Sequence, residues 1–141
     1  INTDNDTKEV KPKKENVEHN KNSSNKTILI VDDIELNRNL LQRALALLGY
    51  KTILADSGEK SIEIMKSNTI DLILMDIQLE KMDGVQAMKA IRDIQPNVPI
   101  IAITAYAMKG DKENFLSQGF NDYIPKPVKI EKLHSTMQKL L

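Results

Sequence analysis

Residues 70–84 read IDLILMDIQLEKMDG, and the order of residue types in that stretch decides the fold. From Ile70 to Met75 the run is close to continuously apolar, without the alternation that leaves one face of a strand wet. A strand of that kind is covered on both faces, which is the habit of a parallel sheet flanked by helices. The run ends on Asp76, a polar loop follows, and Gly84 opens a segment of helical spacing that reaches Asp93. One βα unit is therefore legible, with a carboxylate placed where the strand gives way to the loop.

The same unit recurs outward in both directions. Apolar runs rich in β-branched residues occupy Thr27 to Val31, Lys51 to Ala55, Ile100 to Thr104 and, shorter and more polar, Asn121 to Ile124. The runs at Ile28 and Ile100 match the one at Ile70 and predict central strands, whereas the one at Asn121 predicts an edge strand. Between them Leu36, Leu40, Leu41, Ala44, Leu47 and Leu48 recur at helical spacing, with Gly49 placed for a left-handed C-cap. Further helices are expected from Ser57 or Gly58 to Ser67, from Ala107 to Gln118 before Gly119, and from Lys129 to Leu140. Five strands alternating with five helices predict a doubly wound α/β sheet, whose ligands sit outside the carboxyl ends of the strands.

Composition narrows the function. The chain has 141 residues, in which 20 Lys and Arg balance 20 Asp and Glu, so no global field draws it to nucleic acid. The absence of cysteine excludes disulfides, thiolate metal sites and cysteine nucleophiles, and fits a reducing compartment. No apolar run approaches the ~20 residues that span a bilayer. Residues 1–26 are nearly all polar, with Val10 and Val17 the isolated later aliphatics, and read as a flexible linker or tail, or else a helix formed on binding. The first residue is Ile, with no signal-peptide pattern after it, as expected for a piece of a longer protein.

The strand ends carry the chemistry. Strand one runs into Asp32 and Asp33, strand three into Asp76, strand four into Thr104, and Lys126 follows strand five. Each has an ordinary reading of its own: the aspartates as helix caps or turn residues, Thr104 as a strand end, Lys126 as a solvated lysine. Jointly they place three carboxylates, a hydroxyl and a lysine at one mouth. Crowded carboxylates either raise a pKa or bind a hard cation, and oxygen ligands suit Mg²⁺ or Mn²⁺. A lysine and a hydroxyl beside such a cation point to phosphoryl chemistry.

The segments VDDIELNRNLL, LILMDIQLEKMDG, IIAITAYAM and DYIPKP, in this order, resemble the successive motifs of the response-regulator receiver family over Thr27 to Leu141. The resemblance implies a flavodoxin-like sheet of order 2-1-3-4-5, with Asp76 central and flanked by Asp33 and Thr104. It implies that Asp76 accepts a phosphoryl group from phosphohistidine or a small donor. Asp33 and Asp76 would ligate Mg²⁺ directly, Asp32 through water, and Gln78 through its backbone carbonyl, with Mn²⁺ a substitute. Lys126 and Thr104 would contact the phosphoryl oxygens, Thr104 and Tyr123 would switch an α4-β5-α5 surface, and Gln78 and Tyr106 would tune hydrolysis. The Lys126–Pro127 bond is expected cis. In one departure, Glu80 stands where the family usually has proline.

The fragment reads as no conventional enzyme, since self-phosphorylation and autodephosphorylation are its expected chemistry. Its expected partners are a histidine kinase or a histidine phosphotransfer domain, with no direct nucleic acid or membrane insertion and a homodimer not predicted. Its expected place is the cytoplasm, tethered or not through a parent sensor kinase. Likeness of Asp32 to Leu40, TAYAM and GFNDYIPKP to hybrid histidine kinase receivers favours that parent over a stand-alone regulator. A metal-dependent phosphatase would want a carboxylate where Gln78 stands, no P-loop or glycine fingerprint supports a nucleotide enzyme, and a docking module that is never phosphorylated is the remaining alternative. Met75, Met82 and Met88 are expected to fill core gaps. His19 and His134 lack a kinase-type context, and His134 is expected to be an ordinary polar residue of the last helix.

Overall fold

The computed structural model describes residues 25–105 and 108–141. The expected linker over residues 1–26 lies outside these but for its last two residues, and His19 and Tyr106 lie outside them altogether. Five strands, β1 (Thr27–Val31), β2 (Lys51–Ala55), β3 (Leu72–Asp76), β4 (Ile100–Thr104) and β5 (Asp122–Pro125), alternate with five helices. These are α1 (Glu35–Leu47), α2 (Gly58–Ser67), α3 (Gly84–Ile94), α4 (Asp111–Gln118) and α5 (Ile130–Leu140). All pairings are parallel, as the apolar runs predicted, and the order is β2-β1-β3-β4-β5, as the family resemblance implied.

Burial follows the apolar runs. Every residue of β3 and β4 is buried, while edge strand β5 buries Ile124 alone. Alternate side chains feed two cores. Leu29, Val31, Ile73, Met75 and Ala102 pack with Met65, Met88, Ile91 and Phe115 of α2, α3 and α4. Ile28, Ile30, Leu72, Leu74 and Ile103 pack with Leu41 and Leu45 of α1 and Leu133 and Met137 of α5. Each such side chain, taken from water, contributes about 1.5–3 kcal/mol before entropy is charged. Met75 and Met88 are fully buried and Met82 lies against α2, so the methionines fill gaps as expected.

Helix ends obey local chemistry. Gly49, at φ 95°, ends α1 with a Schellman pair: its N–H reaches the Ala46 carbonyl and the Tyr50 N–H reaches Leu45, both at 3.0 Å. Ser57 caps α2 by accepting the Lys60 N–H, and Asp83 and Gln86 form a capping box on α3.

Three expectations need correcting. Strand β3 begins at Leu72 rather than Ile70, because Asp71 turns its carboxylate to accept the Thr27 N–H at 2.7 Å before the ladder starts. Helix α4 begins at Asp111 rather than Ala107, because Gly110 is left-handed at φ 90° and the Asp111 carboxylate accepts the Met108 N–H. His134 does lie on α5, but it is half-buried with its ring edge-on to Tyr50 and its Nε2 buried without a hydrogen-bond partner. Among the described residues no helix is long and apolar enough to cross a membrane.

Candidate functional site

Parallel pairing brings every strand's carboxyl end to one edge of the sheet, so residues far apart in sequence meet there. Asp32 follows β1, Asp76 ends β3, Thr104 ends β4, and Lys126 follows β5. Ladder neighbours fix the spacing: Asp76 stands opposite Ile103, and Thr104 opposite Pro125. The Lys126 N–H donates to the Thr104 carbonyl at 2.8 Å, which carries the lysine across from the edge strand toward the centre.

Asp32, Asp76 and Thr104 are buried, at 2, 2 and 3% exposure. Asp33 is half-buried, and one carboxylate oxygen from each of Asp32, Asp33 and Asp76 lies within 4.8 Å of the others. Lys126 Nζ donates to Asp76 Oδ2 at 3.1 Å and lies 3.6 Å from Asp32 Oδ2. The other oxygen of each buried aspartate accepts a backbone N–H, Ile34 on Asp32 at 2.9 Å and Gln78 on Asp76 at 3.0 Å. Neither Asp32 nor Asp33 caps α1, whose first turn has no side-chain cap, so the ordinary capping reading of that pair fails.

Electrostatics makes the cluster short of positive charge. Burial, reinforced by the Asp76 carboxylate, raises the Asp32 pKa above its ordinary 3.8 despite the Ile34 N–H, Lys126 and Asn37. Burial works against the Lys126 charge, but the hydrogen bond and attraction of Asp76, joined by Asp32, outweigh it and raise its pKa. One ammonium faces three carboxylates. An all-oxygen set of this density is what a small hard divalent cation takes, so the residues present fit Mg²⁺.

The surroundings add what the sequence did not announce. Gly84 sits so close to the acceptor strand that a Cβ there would lie 2.3 Å from the Asp76 carbonyl oxygen, and its N–H donates to the Ile77 carbonyl. Arg38 donates to the Asp32 carbonyl at 2.8 Å. A cleft of about 470 Å³ lined by Leu40, Leu41, Val128 and Ile130 opens beside Asp32 and Lys126. On the other side Glu80 joins Asp33, Asp56 and Glu59 around an acidic hollow, so the departure from proline adds charge near the cluster. The sequence marked Gly84 only as the start of a helix; the Arg38 contact spans six positions, and the cleft and the acidic hollow gather residues from separate segments.

The remaining expected residues fall where the topology put them. The Lys126–Pro127 bond is cis. Tyr123 is half-buried on β5 with its ring 5.9 Å from that of Phe115 on α4, and Gln78 has its side chain exposed beside the mouth.

Comparison with known proteins agrees with this geometry. A family model described as the response regulator receiver domain matches residues 28–138. The signal transduction histidine-protein kinase BarA of Escherichia coli K12 is 41% identical over 113 residues, which cover 79% of this chain and 12% of BarA. The chain therefore spans a small part of that relative. The polar-differentiation response regulator DivK of Brucella ovis is 37% identical over 118 residues, covering 82% of this chain and 96% of DivK. The receiver domain of sensor histidine kinase PA1611 from Pseudomonas aeruginosa PAO1 superposes at a TM-score of 0.75 with 38% identity, covering 82% of this chain and 96% of that one. That domain was solved with a magnesium ion coordinated in its active site cleft.

Proposed function

Because the chain belongs to the response-regulator receiver family, the phosphoacceptor domains of two-component signalling, we propose that Asp76 is the residue that takes the phosphoryl group from phosphohistidine. The observation that carries the assignment is the Asp76 carboxylate itself, buried at the end of a central strand, held by Lys126 at 3.1 Å and grouped with Asp32 and Asp33.

In the reaction an Asp76 oxygen attacks phosphorus and the P–N bond of the donor breaks; the donor ring, protonated on its other nitrogen beforehand, keeps the bonding pair and leaves as neutral imidazole. Asp33, Asp76 and the Gln78 carbonyl would hold Mg²⁺ directly and Asp32 through water, with Mn²⁺ a substitute; when bound, the cation offsets the repulsion of two anions brought together. Lys126 holds one phosphoryl oxygen and fixes the Asp76 carboxylate before attack. Thr104 donates its hydroxyl to another, and its movement frees room for Tyr123 to turn. Water then takes the phosphoryl group from the acyl phosphate, releasing inorganic phosphate and restoring the Asp76 carboxylate, at a rate set by the side chains of Gln78 and Tyr106. The surface that changes is α4, β5 and α5.

The donor is a histidine kinase or a histidine phosphotransfer domain, and the apolar cleft beside Lys126 gives its helices a surface next to Asp76. The likeness to BarA and PA1611 supports a parent hybrid histidine kinase acting on the cytoplasmic side of a membrane. DivK, matched over nearly its full length, supports a stand-alone regulator instead, and the full-length gene decides between them. The test of Asp76 is intact mass after incubation with acetyl phosphate and Mg²⁺. A phosphoryl adduct that needs Mg²⁺ and is lost in Asp76→Asn is expected. No adduct on the folded wild type, from acetyl phosphate or a phosphohistidine donor, would leave a docking module.

A further inference from the structure

The chief charged group that the site does not use is Arg92, in the last turn of α3 at the opposite end of the sheet. Its Nε and Nη2 donate to the Gly119 carbonyl at 3.3 and 2.9 Å, and Nη2 also donates to Asn121 Oδ1 at 2.8 Å. Its Nη1 donates to the Pro96 carbonyl at 3.2 Å and to that of Val98. These contacts match in number the N–H donors of a guanidinium, and every acceptor is a neutral carbonyl or amide oxygen. Asn121 Oδ1 accepts the Ile100 N–H as well, at 2.8 Å. One cation thus ties together the α3–β4 turn, the end of α4 and the approach to β5, and it faces the negative pole of the α4 dipole.

Helix α4 is held unequally. Of its eight residues only Phe115 is buried. At its last turn the Gly119 N–H donates to Leu116 and the Phe120 N–H to Phe115, with Arg92 outside them. At its first turn Gly110 provides no side-chain cap and a Cβ built on it meets nothing within 4 Å; the Asp111 carboxylate accepts the Met108 N–H, but Met108 is itself 71% exposed, so that bond ties the helix only to an exposed neighbour. Between the two ends Phe115 rests on Phe120 and Tyr123, with centroids 5.8 and 5.9 Å away.

Taking its trigger from the receiver reading, we propose that Arg92 is a positioning residue that anchors the carboxyl end of α4, so that the signal from Asp76 swings the helix about the Arg92–Gly119 contact. Tyr123 is the input arm, because its ring lies on the one buried residue of α4, between the anchor and the loose end. When Tyr123 turns, the loose end loses its packing and the anchored end keeps its hydrogen bonds. Without the anchor the same event releases the whole helix and gives no direction to the change.

The test is amide hydrogen exchange, residue by residue, on the full chain: ligand-free, and with Mg²⁺ plus beryllofluoride as a phosphoryl mimic. Ligand-free wild type is expected to exchange about tenfold more slowly at Gly119 and Phe120 than at Asn114 and Phe115. Arg92→Met should erase that difference, and the mimic should speed exchange at Asn114 and Phe115 of the wild type while sparing Gly119 and Phe120. Arg92→Lys keeps the charge but loses the fork, and gives the same reading if the Met variant folds poorly. The anchor is overturned if these variants keep the wild-type profile, or if the mimic moves Gly119 as much as Asn114. A ligand-free difference that disappears with Arg92, in a protein silent to the mimic, supports the anchor and overturns the phosphoacceptor role proposed for Asp76 instead.

Discussion

The two ends of the sheet are built on opposite electrostatic terms. At the amino ends of the strands the charged groups are met by neutral ones: Asp71 accepts the Thr27 N–H, and Arg92 spends its donors on carbonyl oxygens and on Asn121, which also accepts the Ile100 N–H. At the carboxyl ends Asp32 and Asp76 are buried against each other with one lysine between them. The first arrangement holds the fold together, and the second leaves it needing another cation. The difference teaches that one scaffold keeps stability and reactivity apart by assigning them to opposite edges.

The contrast breaks most visibly at Arg92. Arg92→Met strips several carbonyls of their partner and should cost about 3 kcal/mol in urea denaturation. Phosphorylation of Asp76 should persist, since Arg92 lies at the far edge; loss of the adduct in a folded variant would show that the two ends are not separate.

At the other edge Mg²⁺ should stabilise the wild type by about 2.7 kcal/mol when present at a hundredfold excess over its Kd, by mass action on the folded state alone. Asp76→Asn should lose most of that gain in a thermal scan. A gain undiminished in the variant would place the cation elsewhere.

The smallest effect has the opposite sign from ordinary core mutations. Because the folded pKa of Asp32 is raised, its stabilising contribution belongs to the protonated form, is present at acid pH, and is lost as pH rises through the raised value. In chelator at neutral pH, Asp32→Asn should therefore be more stable than wild type by about 1 kcal/mol. The gap should close as pH falls toward about 4. A variant less stable than wild type at neutral pH would show that Asp32 is already compensated.

These two edges were unequally legible in the sequence. Asp32, Asp33, Asp76, Thr104 and Lys126 could be read because a parallel sheet places every strand end at one edge, so finding the strands found the site. That Asp32 is the aspartate Lys126 approaches could not be read, since it depends on which carboxylate of an adjacent pair turns inward. The amino-end edge was hidden: Arg92 and Gly119 are separated by 27 positions, and no local pattern marks an arginine whose partners are backbone carbonyls. The start of α4 was misplaced for a local reason, the left-handed Gly110, which helical spacing does not report. Half-buried His134 was missed because its surroundings come from Tyr50 on another segment.

The lysine that completes the site lies 50 positions after the aspartate it holds. During synthesis the carboxylates therefore emerge well before the group that quiets them, and the edge strand leading to that lysine must pair before the pocket closes. A chain caught partway, with its acidic edge assembled and its last βα unit absent, has no means of presenting Asp76 in the held geometry. On the phosphoacceptor role proposed for Asp76, competence to react would therefore require that the last strand of the sheet has paired, so that late, long-range folding and reactivity are completed by the same contact.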